Sequence, residues 1–103
     1  MINTDDIQGF DWDDRNRTKN LHSHSVSIQE SEQVFFNTPI VVSQDLAHSS
    51  AKEPRFAALG RTDDGRLLSI FFTIRKKLIR VISARDMSKK ERQVYHEKSK
   101  EYS

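Results

Sequence analysis

The stretch of sequence that decides the fold runs from Arg55 to Arg85 and reads RFAALGRTDDGRLLSIFFTIRKKLIRVISAR. It divides into three strand-like segments, over residues 55–61, 66–75 and 78–85. Asp63-Asp64-Gly65 separates the first two segments, and Lys76-Lys77 separates the last two. Because short turns of this kind join neighbouring antiparallel strands, the stretch predicts an antiparallel meander.

The middle segment indicates which face of the sheet is buried. Alternate residues of a strand face opposite sides of the sheet, and one of these two sets, or parities, is entirely apolar. It predicts the core face and consists of Leu68, Ile70, Phe72 and Ile74. The other parity mixes polar and apolar residues and includes Thr73 and Arg75. A two-residue turn at Lys76-Lys77 pairs Thr73 with Arg80, so Arg80 joins this mixed face.

The loop between the first two segments sets the register of the first hairpin. A two-residue loop would pair Arg61 with Leu68 and direct arginines into the core, where an unpaired guanidinium is costly. A three-residue loop with Gly65 in the left-handed region pairs Arg61 with Leu67 instead. We therefore predict that four arginines project from one side of the sheet: Arg55, Arg61, Arg75 and Arg80.

The rest of the chain predicts helices and two short strands around this meander. Residues 8–12 form a short strand, a helix follows from about Asp13 to His22, and residues 40–42 form another strand. Ser27 and Glu30 form a capping box that begins a second helix, which Pro39 ends. A second capping box at Ser88 begins a helix that runs to about Lys100. The order predicts an α+β fold with two N-terminal helices, a small antiparallel sheet of about four meandering strands and a C-terminal helix.

The length and composition narrow the class of protein. The 103 residues suit one domain over 1–103. The chain has no cysteine, which excludes disulfides and thiolate metal sites. No apolar run approaches the roughly 18 residues of a membrane span, and the acidic N-terminus is unlike a signal peptide. We therefore expect a cytoplasmic protein that does not contact a membrane.

Charge is distributed unevenly along the chain. Residues 1–51 contain three basic and eight acidic residues, a net charge of −5, whereas residues 52–103 contain fourteen basic and seven acidic residues, a net charge of +7. A basic block suits a polyanion, most often nucleic acid, although a solvated lysine and arginine surface has the same composition. The four arginines of the mixed face favour phosphate binding. The alternative is that they pair with acids of the N-terminal half.

Several segments of the chain resemble the BrnT toxins of bacterial type II toxin–antitoxin pairs. The most specific are RFAALGR at 55–61, FTIR at 72–75, IRVISAR at 79–85 and ERQVY at 91–95. Shorter matches are FDWD at 10–13, KNL at 19–21, His24, Val26-Ser27, Asp45, His48 and Ser49. The resemblance extends over most of the chain, from Phe10 to Tyr95.

The resemblance implies a fold similar to that of the RelE-type ribonuclease toxins. It also implies that the protein cleaves RNA without a metal or other cofactor and thereby arrests growth. It implies neutralisation by a cognate antitoxin that carries a ribbon-helix-helix DNA-binding part. The complex would then reach operator DNA only through the antitoxin, and a toxin homodimer within it fits this arrangement. A non-catalytic module that binds RNA or the antitoxin and acts in operon repression is the alternative function.

This chain departs from the family pattern at three places. The family usually has Thr-Glu-Arg where this chain has Thr73-Ile74-Arg75, so the acidic residue is missing. Lys76-Lys77 replaces a turn resembling Gly-Asp, and Ser25 stands where a glycine usually follows the histidine. If relatives use the missing glutamate as general base, an Ile74→Glu substitution should raise cleavage.

RNA cleavage without a metal requires a base for the 2′-hydroxyl, cations for the pentavalent phosphate and an acid for the 5′-oxygen. We assign charge stabilisation to Arg75 and Arg80. His48 is a candidate acid or base because histidine titrates near neutral pH, and a plain loop residue is the equally supported alternative. Tyr95 shares a helix face with Arg92 and is either a proton donor or, more favoured, a packing residue. The predicted RNA-binding residues are Arg55, Arg61, Phe71, Lys76, Lys77, Arg85 and Arg92.

Overall fold

The structure, a computed structural model, describes residues 7–13, 24–47, 49–50 and 52–100. This part of the chain contains five strands and two helices. In chain order they are β1 (Gly9–Phe10), α1 (Ile28–Val34), β2 (Val41–Gln44), β3 (Arg55–Arg61), β4 (Leu67–Arg75), β5 (Leu78–Asp86) and α2 (Lys89–Ser99).

The five strands form one sheet in the order β1-β5-β4-β3-β2. The strands β2 to β5 are antiparallel neighbours, which confirms the predicted meander. The short strand β1 lies at the other edge and pairs in parallel with β5, Phe10 opposite Ile79. The predicted sheet of about four meandering strands is therefore corrected to a mixed sheet of five.

Both predicted hairpin registers are confirmed. Arg61 pairs with Leu67, and the N–H of Thr62 donates to the carbonyl of Arg66 at 2.9 Å across a three-residue loop. Gly65 closes this loop with a φ of 87°, a left-handed conformation that glycine adopts without steric cost. At the second hairpin Thr73 pairs with Arg80. The four predicted arginines therefore lie on the same side of the sheet.

A β-bulge in β5 changes which residues share that side. Phe71 pairs with Ser83 while the adjacent Phe72 pairs with Val81, so Ile82 has no partner on β4. The extra residue shifts the parity of the strand beyond it. Arg85 consequently lies on the same side as Arg80, although the two are five residues apart.

Helix α1 covers one side of the sheet and forms the main core. Its residue Val34 is buried with the apolar parity of β4, and Phe35 packs edge-on against Phe72 with ring centroids 5.1 Å apart. Gly60 allows the close approach of β3, since a Cβ built there would lie 2.6 Å from Cγ1 of Val34. The predicted capping box of Ser27 and Glu30 begins the helix.

Helix α2 covers part of the opposite side. Tyr95 is buried against Leu59 and Met87, and its hydroxyl donates to the carbonyl of Pro39 at 2.8 Å. The predicted capping box of Ser88 and Glu91 begins this helix as well. Within the described residues, helix α2 covers this side only at the ends of β3 and β4 near Arg61 and Leu67.

The N-terminal helices differ from the prediction. Helix α1 ends at Val34, before the Asn37-Thr38-Pro39 segment, because residues 35–38 form turns instead. Of the helix predicted from Asp13 to His22, Asp13 is not helical and residues 14–22 lie outside the described residues. The strand predicted at residues 40–42 is Val41–Gln44.

Candidate nucleic-acid interface

On the same side of the sheet as α2, but beyond the end that α2 covers, three of the predicted arginines lie close together. Arg55 and Arg80 lie on either side of Thr73 in one row of paired residues, and Arg75 follows two residues along β4. Phe71 lies one row further toward α2. We call this surface, formed by Arg55, Phe71, Arg75 and Arg80 around the buried Thr73, the arginine face.

Arg80 is held by carboxylates of the N-terminal segment. Its Nη1 lies 3.4 Å from Oδ2 of Asp11, and its Nη2 donates to Oδ2 of Asp13. Strand β1 fixes this arrangement, because the N–H of Asp11 donates to the carbonyl of Ile79 at 2.8 Å. For Arg80 the pairing with acids of the N-terminal half is therefore observed.

Arg75 and the following turn form the outer end of the face. The Nη2 of Arg75 donates to Oε1 of Glu53 at 2.8 Å, and half of the Arg75 side chain is exposed. Lys76 and Lys77 are exposed and have φ values of 52° and 66°. These values place both lysines in the left-handed region, which disfavours non-glycine residues. The turn thus presents two cations at an unfavourable backbone geometry.

Arg55 is positioned through its backbone. Its N–H donates to Oγ of Ser49 at 2.9 Å, and Ser49 in turn donates to the carbonyl of Asp45 at 2.6 Å. Thr73 secures the preceding residue by donating its hydroxyl to the carbonyl of Pro54 at 2.7 Å. Within the described residues, no carboxylate forms an ion pair with the guanidinium of Arg55.

Arg85 connects the arginine face to helix α2. Its guanidinium carbon lies 5.4 Å from the ring centroid of Phe71, a cation–π distance. Its Nη1 and Nη2 donate to the two carboxylate oxygens of Glu91 at 2.7 and 3.0 Å. Burial would raise the pKa of Glu91, but the hydrogen bonds from Arg85 and from the Ser88 N–H lower the pKa to about 2. Glu91 is therefore ionised over the whole physiological range.

Arg61 lies away from the arginine face. It lies six positions further along β3 than Arg55, a distance of about 20 Å at roughly 3.3 Å per residue. It borders an open cleft of about 620 Å³ that is also lined by Leu67, Tyr95 and His96. The structure thus divides the predicted RNA-binding residues between two places on one side of the sheet.

The remaining predicted residues are placed as follows. Tyr95 is buried, and this burial raises the pKa of its hydroxyl although the nearby Arg61 opposes the change. This position supports a packing role for Tyr95. Arg92 is exposed on α2 and donates to the carbonyl of Met87 at 3.3 Å. His48 lies outside the described residues.

The sequence did not point to Asp11, Asp13 or Glu53 as partners of individual arginines. It also missed Arg66, which binds both carboxylate oxygens of Asp86 at 2.8 and 3.1 Å and donates to Glu30. The hydrogen bonds from Arg66 lower the pKa of Asp86. The excess of acid in the N-terminal half signalled pairing with Asp11, Asp13 and Glu30, whereas Glu53 and Asp86 lie in the C-terminal half, outside that signal.

The described residues lack two further kinds of site. They contain no group of three or more His, Asp or Glu side chains arranged to hold a metal ion. No helix in the described part of the chain is long and apolar enough to cross a membrane.

Comparison with known proteins identifies the family. The family model described as "Ribonuclease toxin, BrnT, of type II toxin-antitoxin system" matches residues 12–91. No curated protein matches the chain. The matched range includes β2 to β5, the arginine face and the first turn of α2. The chain therefore belongs to the BrnT family of ribonuclease toxins of type II toxin–antitoxin systems.

Proposed function

We propose that this toxin cleaves RNA at the arginine face without a metal ion and acts in the cytoplasm. The observation that carries the proposal is the convergence of Arg55, Arg75 and Arg80 on the part of the sheet that α2 leaves uncovered. Guanidinium groups bind phosphate oxygens through paired hydrogen bonds, so three of them suit an RNA backbone. Phe71 offers a ring beside them against which a base can stack.

Arg80 and Arg75 are assigned to stabilising the transition state. The 2′-hydroxyl attacks the adjacent phosphorus, a bond to the 5′-oxygen breaks, and the phosphate passes through a pentavalent state with added negative charge. A guanidinium has five N–H donors, so Arg80 can keep its contacts with Asp11 and Asp13 and still donate to a phosphate oxygen. These carboxylates would fix its orientation before the substrate arrives.

The proton transfers need a base and an acid. His48 is assigned one of these roles because the loop that contains it is anchored at Ser49 beside Arg55. Arg55, Lys76, Lys77 and Arg85 are assigned to binding the RNA backbone. Tyr95 and Arg92 lie on α2, and of these Arg92 has the exposed side chain suited to a phosphate contact.

The cognate antitoxin would carry a ribbon-helix-helix domain and cover the arginine face. The fold would be similar to that of the RelE-type toxins, and the antiparallel strands β2 to β5 packed with two helices support this proposal. Operator DNA would be contacted through the antitoxin alone. A toxin homodimer would form within the complex.

The experiment is single-turnover cleavage of a single-stranded RNA, with and without EDTA, alongside an affinity measurement. Arg80→Ala should lower the cleavage rate about 10²–10³-fold while changing RNA affinity little, since the cation acts mainly in the transition state. Lys77→Ala, the matched control, should weaken binding modestly and flatten its salt dependence. Equal and small losses in both variants would contradict the catalytic assignment.

A second experiment addresses toxicity. Expression of the chain alone in a bacterium should arrest growth, and co-expression of the antitoxin should restore it. Normal growth with high soluble expression would contradict the active-toxin proposal.

One observation favours a second function, a non-catalytic module that acts in antitoxin binding and operon repression. Ile74 stands where the family pattern has an acid, and Arg75 and Arg80 are already paired with carboxylates. Under this alternative the protein would bind RNA or the antitoxin but leave RNA intact in the cleavage assay.

A further inference from the structure

The cleft beside Arg61 is distinct from the arginine face. It lies between the C-terminal half of α2 and the β3–β4 hairpin, and its volume of about 620 Å³ is within the usual range of roughly 300–1,000 Å³ for small-ligand sites. It lies far along the sheet from Arg75, since Leu67, which lines the cleft, is eight residues from Arg75 on β4, a span of about 26 Å at roughly 3.3 Å per residue. A ligand of the cleft would therefore not contact the proposed reaction centre.

The charge at the cleft favours an anion. The side chain of Arg61 is exposed and forms no ion pair with any described carboxylate. None of the described residues that line the cleft is acidic. The nearest acid of the hairpin loop, Asp63, is engaged by the side-chain amide of Asn37 at 3.0 Å. Guanidinium groups bind phosphate oxygens through paired hydrogen bonds, so Arg61 at the rim of the cleft suits a phosphate group.

The walls of the cleft favour a ring. Leu67 and Pro39 supply apolar surface, and the rings of Tyr95 and His96 lie 6.0 Å apart at 60°. His96 is exposed, so one of its faces is open to a ligand. The hydroxyl of Ser99 lines the same space and adds a polar group. Apolar and aromatic walls beside an arginine are the features with which proteins bind unpaired bases.

We propose that this cleft binds one unpaired nucleotide of the RNA substrate, with its phosphate on Arg61 and its base against His96 and Leu67. This inference rests on the proposed function, because it assumes that the chain binds RNA. It adds a second contact about 20 Å from Arg55 along β3. A contact at that distance from the reaction centre would select for RNA that is unpaired on one flank of the cleavage position.

The test is an NMR titration of the full chain, labelled with nitrogen-15, with adenosine 5′-monophosphate and uridine 5′-monophosphate in turn. At least one of them should shift the amide signals of Gly65, Leu67 and His96. Ribose 5-phosphate and inorganic phosphate should bind more weakly, because they lack the base. Arg61→Ala should weaken nucleotide binding about tenfold or more, since a hydrogen bond to a charged group is lost. The control Lys90→Ala, an exposed cation at the other end of α2, should change binding less than about twofold.

Several outcomes would overturn the proposal. Shifts confined to the arginine face, or no shifts with either nucleotide, would show that the cleft is not a nucleotide site. Equal binding of ribose 5-phosphate would reduce it to an anion site. Cleft signals that respond only to the antitoxin would make it a protein interface. The titration needs no cleavage, so an inactive chain that binds nucleotide here supports the inference, and an active chain that does not bind overturns the inference alone.

Discussion

Glu91 links helix α2 to the sheet, and its replacement by glutamine should weaken the fold in a pH-dependent way. Its carboxylate accepts hydrogen bonds from Arg85, from the hydroxyl of Ser69 and from the N–H of Ser88. Glutamine has almost the same size, but it is neutral and its amide nitrogen cannot accept from Arg85. The Glu91→Gln substitution therefore removes the charge while it preserves the packing.

The magnitude follows from the pKa of Glu91. Burial opposes ionisation, but the hydrogen bonds from Arg85 and Ser88 lower the pKa from 4.5 to about 2. One pKa unit corresponds to about 1.4 kcal/mol, so ionised Glu91 stabilises the fold by roughly 3 kcal/mol relative to its protonated form. The side chain is 23% exposed, so solvent screening is modest. Because the folded pKa is the lower one, this contribution is present above about pH 4.5 and is lost as the pH falls toward 2.

The assay is urea denaturation followed by far-UV circular dichroism, at several pH values between 2 and 7. Glu91→Gln should lower the free energy of unfolding by about 2–3 kcal/mol at pH 7 and by progressively less toward pH 2. Glu97→Gln is the matched control on the same helix, since Glu97 is 76% exposed and lies 3.8 Å from Lys100. It should cost at most about 0.5 kcal/mol. A loss in Glu91→Gln that stays constant from pH 7 to pH 2 would refute the electrostatic reasoning.

Four further substitutions test other features. Gly60→Ala should cost about 1–3 kcal/mol in thermal or urea unfolding, because the added Cβ meets Cγ1 of Val34 at 2.6 Å; an unchanged stability would mean that α1 shifts freely. Lys77→Gly should raise the free energy of unfolding by about 0.5–1 kcal/mol, the relief of the left-handed φ less the added freedom of the unfolded chain; Lys90→Gly, in the first turn of α2, should destabilise instead. Tyr95→Phe should cost about 1 kcal/mol through the lost hydrogen bond to Pro39 and leave the cleavage rate unchanged; a large fall in rate would restore Tyr95 as proton donor. Ile74→Glu should not raise cleavage, because residue 74 lies on the core side opposite Arg75, and a folded, faster variant would contradict this.

The hairpin registers were predictable because a local cost decides each of them. Burial of Arg61 would be expensive, and Gly65 allows the loop that avoids it. Both capping boxes were predictable for a similar reason, since Ser27 with Glu30 and Ser88 with Glu91 are three residues apart and bond within one turn. Local chemistry of this kind can be recognised without knowing the fold.

The features that the sequence did not predict depend on contacts between distant parts of the chain. Arg80 pairs with Asp11 and Asp13, which precede it by 69 and 67 residues, and no local pattern selects those partners. The parallel pairing of β1 with β5 also depends on a distant contact, since the two residues of β1 are too few for their hydrophobic pattern to predict which strand they pair with. The bulge at Ile82 was missed although regular alternation from Ile79 and Val81 would direct Arg85 into the core, where the same burial cost applies.

The length of β5 has an evolutionary consequence. The unmatched Ile82 brings Arg80 and Arg85 to one side, and Arg85 in turn holds Glu91. If β5 kept its length but lost the bulge, the five-residue spacing in a regular ladder would turn Arg85 toward the buried side, away from α2. Deleting one residue together with the bulge would leave the two arginines four apart, and they would still share a side. A homologue that loses the bulge without shortening the strand would therefore lose the anchor of its last helix even if every functional residue were retained. We expect natural variation in this toxin to change the spacing between these two arginines and the bulge together.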